Sequence, residues 1–332
     1  MNSFPACRRT AASSSPGRDM AAGEPAITVQ ALTKRFATVT AVDGVTFDVE
    51  RGEIFGLVGP DGAGKTAIIR MLAGVMRPNG GSISVDGIDV VANPETAKRH
   101  LSYMPQRFGL YEDLTVDENI RFYADLFEIP QALQVQRTQP LLEASSMTAF
   151  RGRLAGQLSG GMKQKLGLIC ALVHTPRILL LDEPTTGVDP VSRRDFWRIL
   201  FGLRETGVTI FISTAYLDEA ERCTRLALLH EGHLRYCDTP QALKARMPGT
   251  LLTISSVAAR AARDAVGGLA GVSSVLLVGD GVHVVVDDRD RRLPELRAAL
   301  DATRVPYGEI AVATPSVEDL FVALLGNRRG AT

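Results

Sequence analysis

No uninterrupted apolar stretch approaches the roughly 20 residues that a membrane-crossing helix needs. Ile178 to Leu181 and Leu226 to Leu229 are only strand-sized. Neither sign of charge is in excess. The 37 basic and 37 acidic side chains cancel, so no global field draws the chain to nucleic acid or anionic lipid, and no nucleic-acid partner is expected. Cysteine is scarce and unpatterned. Cys7, Cys170, Cys223 and Cys237 show neither C-x-x-C nor metal-type spacing, which suits a reducing compartment and buried thiols. The first two dozen residues, Met1 to Glu24, lack an apolar h-region, which argues against a secretory signal. Arg8, Arg9, Arg18 and Ser13 to Ser15 make only a faint transit-peptide pattern. A disordered tail over 1–24, or translation beginning at Met20, is expected instead. What remains is ordinary globular usage, 45% hydrophobic and 22% charged, over 332 residues: enough for about two domains.

Hydrophobic periodicity divides the chain. Ile27 to Gln30 and Val45 to Val49 alternate as half-buried strands, and Ile54 to Val58 is a continuous apolar run that breaks into glycines. A helical stretch, Lys65 to Ala73, follows. Ser82 to Val85 before Asp86-Gly87 reads as a hairpin. From Tyr111 to Val173 the pattern is helical, with a capping-box start at Thr115 and Glu118. Strand signals return at Ile178 to Leu181, Val208 to Ile212 and Leu226 to Leu229, with a helix over Val191 to Arg204. Strands alternating with helices predict a parallel sheet covered on both faces. Beyond Met247 the order becomes β-α-β-β-α-β, a split βαβ pattern, with a last helix opening at Ser316 to Asp319. The expected division is a nucleotide-binding domain over 25–245 and a small α+β domain over 246–332.

Gly59, Pro60, Asp61, Gly62, Ala63, Gly64, Lys65 and Thr66 fit G-x-x-x-x-G-K-[ST] between an apolar strand and a helix. Glycines let the backbone fold tightly enough for its N–H groups to face phosphate oxygens, and the helix N-terminus adds positive potential. Lys65 is expected to bridge the outer phosphates and Thr66 to ligate Mg²⁺. Ile178 to Leu181 ends in Asp182 and Glu183, two acids at the carboxyl end of a buried strand, where parallel sheets place ligands. Asp182 is expected in the Mg²⁺ shell and Glu183 as the general base for an attacking water. An N-K-x-D guanine-reading motif is absent, which favours adenine. Leu158, Ser159, Gly160, Gly161 and Met162 then supply a second helix N-terminus suited to phosphate. A second grip in a chain with one P-loop makes sense if it serves a nucleotide held by another subunit.

With these motifs in this order, the stretch from about Ile27 to Pro240 resembles an ATP-binding-cassette (ABC) ATPase. The resemblance implies a P-loop NTPase core with an antiparallel β subdomain and a helical subdomain, and ATP with Mg²⁺ as ligands. It makes Leu158 to Met162 the signature motif that closes over a partner's ATP. It also implies that Phe36 stacks on adenine, that Gln106 reaches Mg²⁺ and the water, and that Asp189 lies at the dimer seam. Three positions depart from the family pattern. Ala215 stands where the switch histidine is usual, Asp61 replaces an asparagine, and Ala67 replaces a hydroxyl that normally bonds the α-phosphate. The run Tyr103 to Asn119 is similar to the first cassette of tandem-cassette exporters of the ABC-2 class, implicated in drug and cation efflux; Pro315 to Phe321 is similar to a tail common on such ATPases.

The resemblance therefore implies an ATP-hydrolysing exporter subunit. It would pair with a second cassette and drive separate transmembrane permease subunits, in the cytoplasm on the inner face of the cell membrane. Because of Ala215, the alternative is a binding-biased half of a heterodimer, weak in hydrolysis alone. A cassette acting on ribosomes or DNA fits less well, since the helical insertion is short and the net charge zero.

Overall fold

A computed structural model describes residues 24–279 and 281–326; all of the expected N-terminal tail except Glu24 lies outside them. The chain divides into two compact units. One runs to Tyr216 and resumes over Cys223–Asp238; the other comprises Leu217–Arg222 and the chain from Thr239.

The first unit opens with β1 (Ile27–Phe36), β2 (Val39–Val49), β3 (Ile54–Val58) and α1 (Lys65–Leu72). Then come β4 (Gly80–Val85), β5 (Ile88–Asp89), α2 (Pro94–Lys98) and β6 (Leu101–Met104). The helical stretch is α3 (Val116–Leu126), α4 (Gln131–Ala144) and α5 (Gly160–Leu172). It is followed by β7 (Ile178–Asp182), α6 (Pro190–Glu205), β8 (Thr209–Thr214), β9 (Arg225–His230) and β10 (His233–Asp238).

Two sheets result. An antiparallel one has the order β2-β1-β4-β5; a six-stranded one has the order β10-β9-β3-β8-β7-β6, parallel except for the edge strand β10. The apolar runs of β3, β7 and β8 are buried on both faces, so period-2 alternation sends successive side chains to different cores. Phe55, Leu57, Leu180 and Phe211 face the antiparallel sheet and α1, whereas Ile54, Leu179, Leu181, Ile210 and Ile212 pack with Phe196 and Trp197 of α6. Phe47, Phe55 and Phe211 stack pairwise at 5.5–5.8 Å between centroids and so join the two sheets. The helical stretch has its own core, in which Val116, Ile120, Leu142, Leu166 and Ile169 meet. Thr115 makes the expected reciprocal capping box with Glu118.

In the second unit α7 (Leu217–Ala220) and α8 (Pro240–Lys244) accompany β11 (Thr250–Ser255), α9 (Ala259–Val266), β12 (Val272–Val278), β13 (Gly281–Val286), α10 (Arg289–Ala302), β14 (Ile310–Val312) and α11 (Val317–Gly326). The sheet is antiparallel in the order β12-β13-β11-β14, the split βαβ arrangement that the element order predicted. Ser316 and Asp319 exchange hydrogen bonds at the start of α11.

Among the described residues no helix is long and apolar enough to cross a membrane. Cys170 and Cys223 are buried, and burial pushes the Cys170 thiol far up.

The hairpin at Asp86-Gly87 does more than turn the chain. Asp86, at φ 52, pairs with Arg51 at 2.6 Å, His100 at 2.7 Å and Arg177 at 2.9 Å, linking the antiparallel sheet to the strand entering β7. Burial pushes its carboxyl up, but the hydrogen bonds from Arg51, His100 and Arg177 outweigh it and hold the group down at about 2. A native value below the unfolded one adds stability above the unfolded value of 3.8, and the gain vanishes as pH falls toward 2. Asparagine tolerates the left-handed backbone, so Asp86→Asn isolates the charge. The substitution is expected to cost about 1–2 kcal/mol at pH 7 after screening of the half-exposed arginines. In urea unfolding the gap to wild type should close between pH 4 and pH 2; a gap independent of pH would contradict the assignment.

Candidate nucleotide site

The carboxyl ends of β3, β6, β7 and β8 lie along one edge of the six-stranded sheet, and the loops leaving them bound a cavity of about 590 Å³. Asp61, Gly62, Gly64, Lys65, Thr66 and Ala67 form one wall; Gln106, Glu183, Thr186, Ala215 and Tyr216 complete it.

The loop between β3 and α1 needs its glycines for steric reasons. Gly64 has φ 107, and a Cβ there would strike the Ala41 carbonyl oxygen; a Cβ on Gly59 would strike that of Leu229. Ala63 is buried and anchors the loop, donating to Pro60 O at 3.2 Å and accepting from Gly232 N at 3.1 Å. Lys65 is only 4% exposed, and a buried ammonium needs partners. It donates to Gly59 O at 2.8 Å and Pro60 O at 3.0 Å and pairs with Glu183 Oε1 at 3.0 Å.

Asp182 and Glu183 occupy different surroundings although adjacent. Asp182 is 1% exposed; its Oδ1 accepts from Ser213 Oγ at 2.7 Å and Thr66 Oγ1 at 3.2 Å. Burial pushes its carboxyl up, against the two hydrogen bonds. Glu183 leaves the strand at φ 48, a backbone conformation costly for a residue with a Cβ, and turns toward the cavity. Its backbone N–H donates to Ser213, and its Oε2 accepts from Gln106 Nε2 at 3.3 Å. Thr66, Asp182, Glu183 and Gln106 thus meet across three chain segments.

Other expected positions lie elsewhere. Phe36, at the exposed end of β1, is not in the cavity wall; Lys34 Nζ lies 5.2 Å from its ring centroid. Leu158 is buried, whereas Ser159 and Gly160 are exposed at the start of α5, where Ser159 caps the helix by accepting from Met162 N at 3.3 Å. Gly161 is packed so closely that a Cβ would sit 2.5 Å from the Ser192 side chain. Asp189 caps α6, accepting from Val191 N and Ser192 N, and those bonds, first that from Ser192, hold its carboxyl down. None of Leu158 to Met162, nor Asp189, reaches the cavity wall.

Three residues of the site escaped the sequence reading. Ser213 is placed beside Asp182 by the parallel register of β7 and β8, which no local pattern announces. Thr186 and Tyr216 line the cavity because each lies in the turn after a strand whose end is functional. Asn119, quoted only as the end of a motif, is fully buried and bonds Tyr111, Leu114 and Thr115, fixing the loop before α3.

Comparison with known proteins gives this geometry a family. The ABC transporter family model matches residues 42–186. The probable multidrug ABC transporter ATP-binding protein YbhF of Escherichia coli K12 is 44% identical over 304 residues, covering 90% of this chain but 52% of that protein. The chain thus spans about half the length of that relative. The daunorubicin resistance ATP-binding protein DrrA2 of Streptomyces coeruleorubidus is 33% identical over 314 residues, covering 91% of this chain and 96% of its own. A solved ATP-binding subunit of an ABC transporter superposes with a TM-score of 0.61 at 32% identity, over 66% of this chain and 92% of the other. The dimeric cassette MJ0796 shares the fold, with a TM-score of 0.59 at 23% identity over 64% of this chain and 98% of its own. A 33% identity to a relative that the chain covers almost end to end, with the motifs in one order on one fold, means that the chain belongs to the ABC transporter ATP-binding proteins.

Proposed function

We propose that the chain is the ATP-binding and hydrolysing subunit of an ABC-2-class exporter, of the kind that moves drugs or cations, resembling the first cassette of tandem-cassette ATPases. The observation that carries this reading is the convergence of the P-loop, Gln106 and Glu183 on one cavity, with Asp182 bonded to Thr66 beside it, while Ser159 and Gly160 are presented outside it. The relatives named for multidrug and daunorubicin resistance support an exported, drug-like cargo. The cassette would occupy 25–245 and the accessory α+β domain 246–332. It would lie in the cytoplasm, held to the inner face of the cell membrane by separate permease subunits.

In the proposed site the backbone of Gly59 to Ala67 cradles the phosphates with the N–H groups it carries outside Pro60, Lys65 neutralises their charge, and Phe36 stacks on adenine. Asp61 and Ala67 line the cavity where the family usually has an amide and a hydroxyl, so the cradle has one donor fewer at the α-phosphate. Thr66, Asp182 and Gln106 would hold Mg²⁺, which neutralises phosphate charge when bound. One buried carboxylate with a hydroxyl 3.2 Å away suits an ion that keeps waters and takes phosphate oxygens. Glu183 accepts the proton of the attacking water as that oxygen bonds to the γ-phosphorus and ADP leaves. Lys65 already holds Glu183 at 3.0 Å, so a phosphate reaching the ammonium competes directly with the base. Leu158 to Met162 would close on the ATP of a second cassette, with Asp189 at the seam.

A second reading has one specific observation behind it. Ala215 lies on the cavity wall and offers a methyl group where a donor to the γ-phosphate is usual. The chain is then the slower half of a heterodimer, completing a better-equipped partner's site.

Glu183→Gln is expected to lower steady-state Mg-ATP turnover by about a hundred-fold or more while ATP still binds. Ala215→His is expected to raise turnover about ten-fold, the worth of one hydrogen bond to a charged group. Wild-type turnover indistinguishable from Glu183→Gln, with Ala215→His active, would favour the heterodimer reading; no turnover in either would reject hydrolysis by this chain.

Gly160 offers a separate test. A side chain there meets nothing closer than the Gly187 carbonyl oxygen at 3.9 Å, and a carboxylate suits a helix N-terminus. Gly160→Asp should therefore fold and bind ATP normally. In the Glu183→Gln background it should abolish the ATP-dependent dimer seen by size-exclusion chromatography, through repulsion of the partner's phosphates. A dimer that persists would contradict the role of the signature.

A further inference from the structure

On the hydrolytic reading above, the missing histidine leaves the γ-phosphate without a donor from the end of β8. We propose that Tyr216, the next residue, is a catalytic residue that supplies that donor through its hydroxyl, held in place by Arg193.

Four observations converge on it. Tyr216 lines the same cavity as Lys65, Gln106 and Glu183, beside Ala215, which is exposed on the wall and too small to obstruct it. Its main chain is fixed, since its N–H donates to Thr214 Oγ1 at 3.0 Å just beyond the last residue of β8. Its ring is fixed as well: the Arg193 guanidinium carbon lies 4.3 Å from the ring centroid, a cation over an aromatic face. The phenol O–H has no hydrogen-bond partner among the described residues, although the backbone and the ring are both engaged.

A phenol suits the task. It donates one hydrogen bond as a neutral imidazole N–H does, and can accept a second from the attacking water. Arg193 is a positioning residue. It lies one turn into α6, whose N-cap is Asp189, so the element that carries the proposed dimer seam also carries the cation that holds the ring. Closure of a second cassette against Asp189 would then bear on Tyr216 directly.

The test is steady-state Mg-ATP turnover together with ATP affinity by titration calorimetry, on the full chain. Tyr216→Phe keeps the ring and removes only the hydroxyl. It should lower kcat about ten-fold or more and leave the Kd for ATP within about two-fold. In the Ala215→His background, where imidazole supplies the donor, the same change should cost only about two-fold. Arg193→Leu should lower kcat in the same direction, and Arg193→Lys, which restores a cation over the ring, should recover most of the loss. Wild-type turnover in Tyr216→Phe, or an equal loss in both backgrounds, would overturn the proposal while leaving hydrolysis by Glu183 intact. Wild-type turnover no higher than that of Glu183→Gln would remove the reaction itself, and Tyr216's role with it.

Discussion

The Lys65–Glu183 ion pair is the contact on which the site depends. It joins the P-loop, which follows one strand, to the end of another, across a cavity. A lysine ammonium 4% exposed is tolerated only because two loop carbonyls and a carboxylate receive its three N–H donors. The two carbonyls exist as acceptors because Gly59 and Gly64 let the loop curl back on α1 where no side chain would fit. The carboxylate is available because Glu183 turns out of β7 at φ 48 while Asp182 stays in. In a regular strand these neighbours would face opposite sides of the sheet. Here one is sealed against Ser213 and Thr66, and the other faces the cavity.

Much of this was legible from the sequence because it is local. The P-loop glycines, the capping box at Thr115 and Glu118, the hairpin at Asp86-Gly87 and the acids ending β7 are each set by a few adjacent residues. The β-α-β-β-α-β order likewise followed from periodicity alone. What escaped was set by register and packing. Strand β6, Leu101–Met104, is four residues with no alternation, and it is recognisable only once paired with β7. Ser213 gains its role from standing opposite Asp182, and Asn119 from the loop folded around its amide. Lys165 of α5 is buried and pairs with Asp195 of α6 at 2.8 Å, a contact that no local pattern announces.

The contrast between Ser159 and Thr115 shows how the same local chemistry is put to different uses. Both cap a helix by accepting an N–H from three residues on. Thr115 is answered by Glu118, which occupies the N-cap's own N–H, so that terminus is closed to ligands. Met162 cannot answer Ser159 in this way, and the two glycines after the cap keep the first turn of α5 bare. Gly160 is exposed, while Gly161 is pressed on Ser192, so α5 and α6 begin side by side. With no acidic residue in its first turn, that helix N-terminus would suit a phosphate that arrives on another molecule.

On the proposed reading, that division lets two phosphate grips coexist in one chain without redundancy. In the first, Lys65 pairs with Glu183, while Asp182 accepts from Ser213 and Thr66. The second is open, and its positive potential is balanced by nothing in its own first turn. On the proposed reading, a nucleotide entering the first competes with Glu183 for Lys65. The second would receive its anion from the ATP of a partner cassette. Each cassette would then be complete only when nucleotide fills both sites.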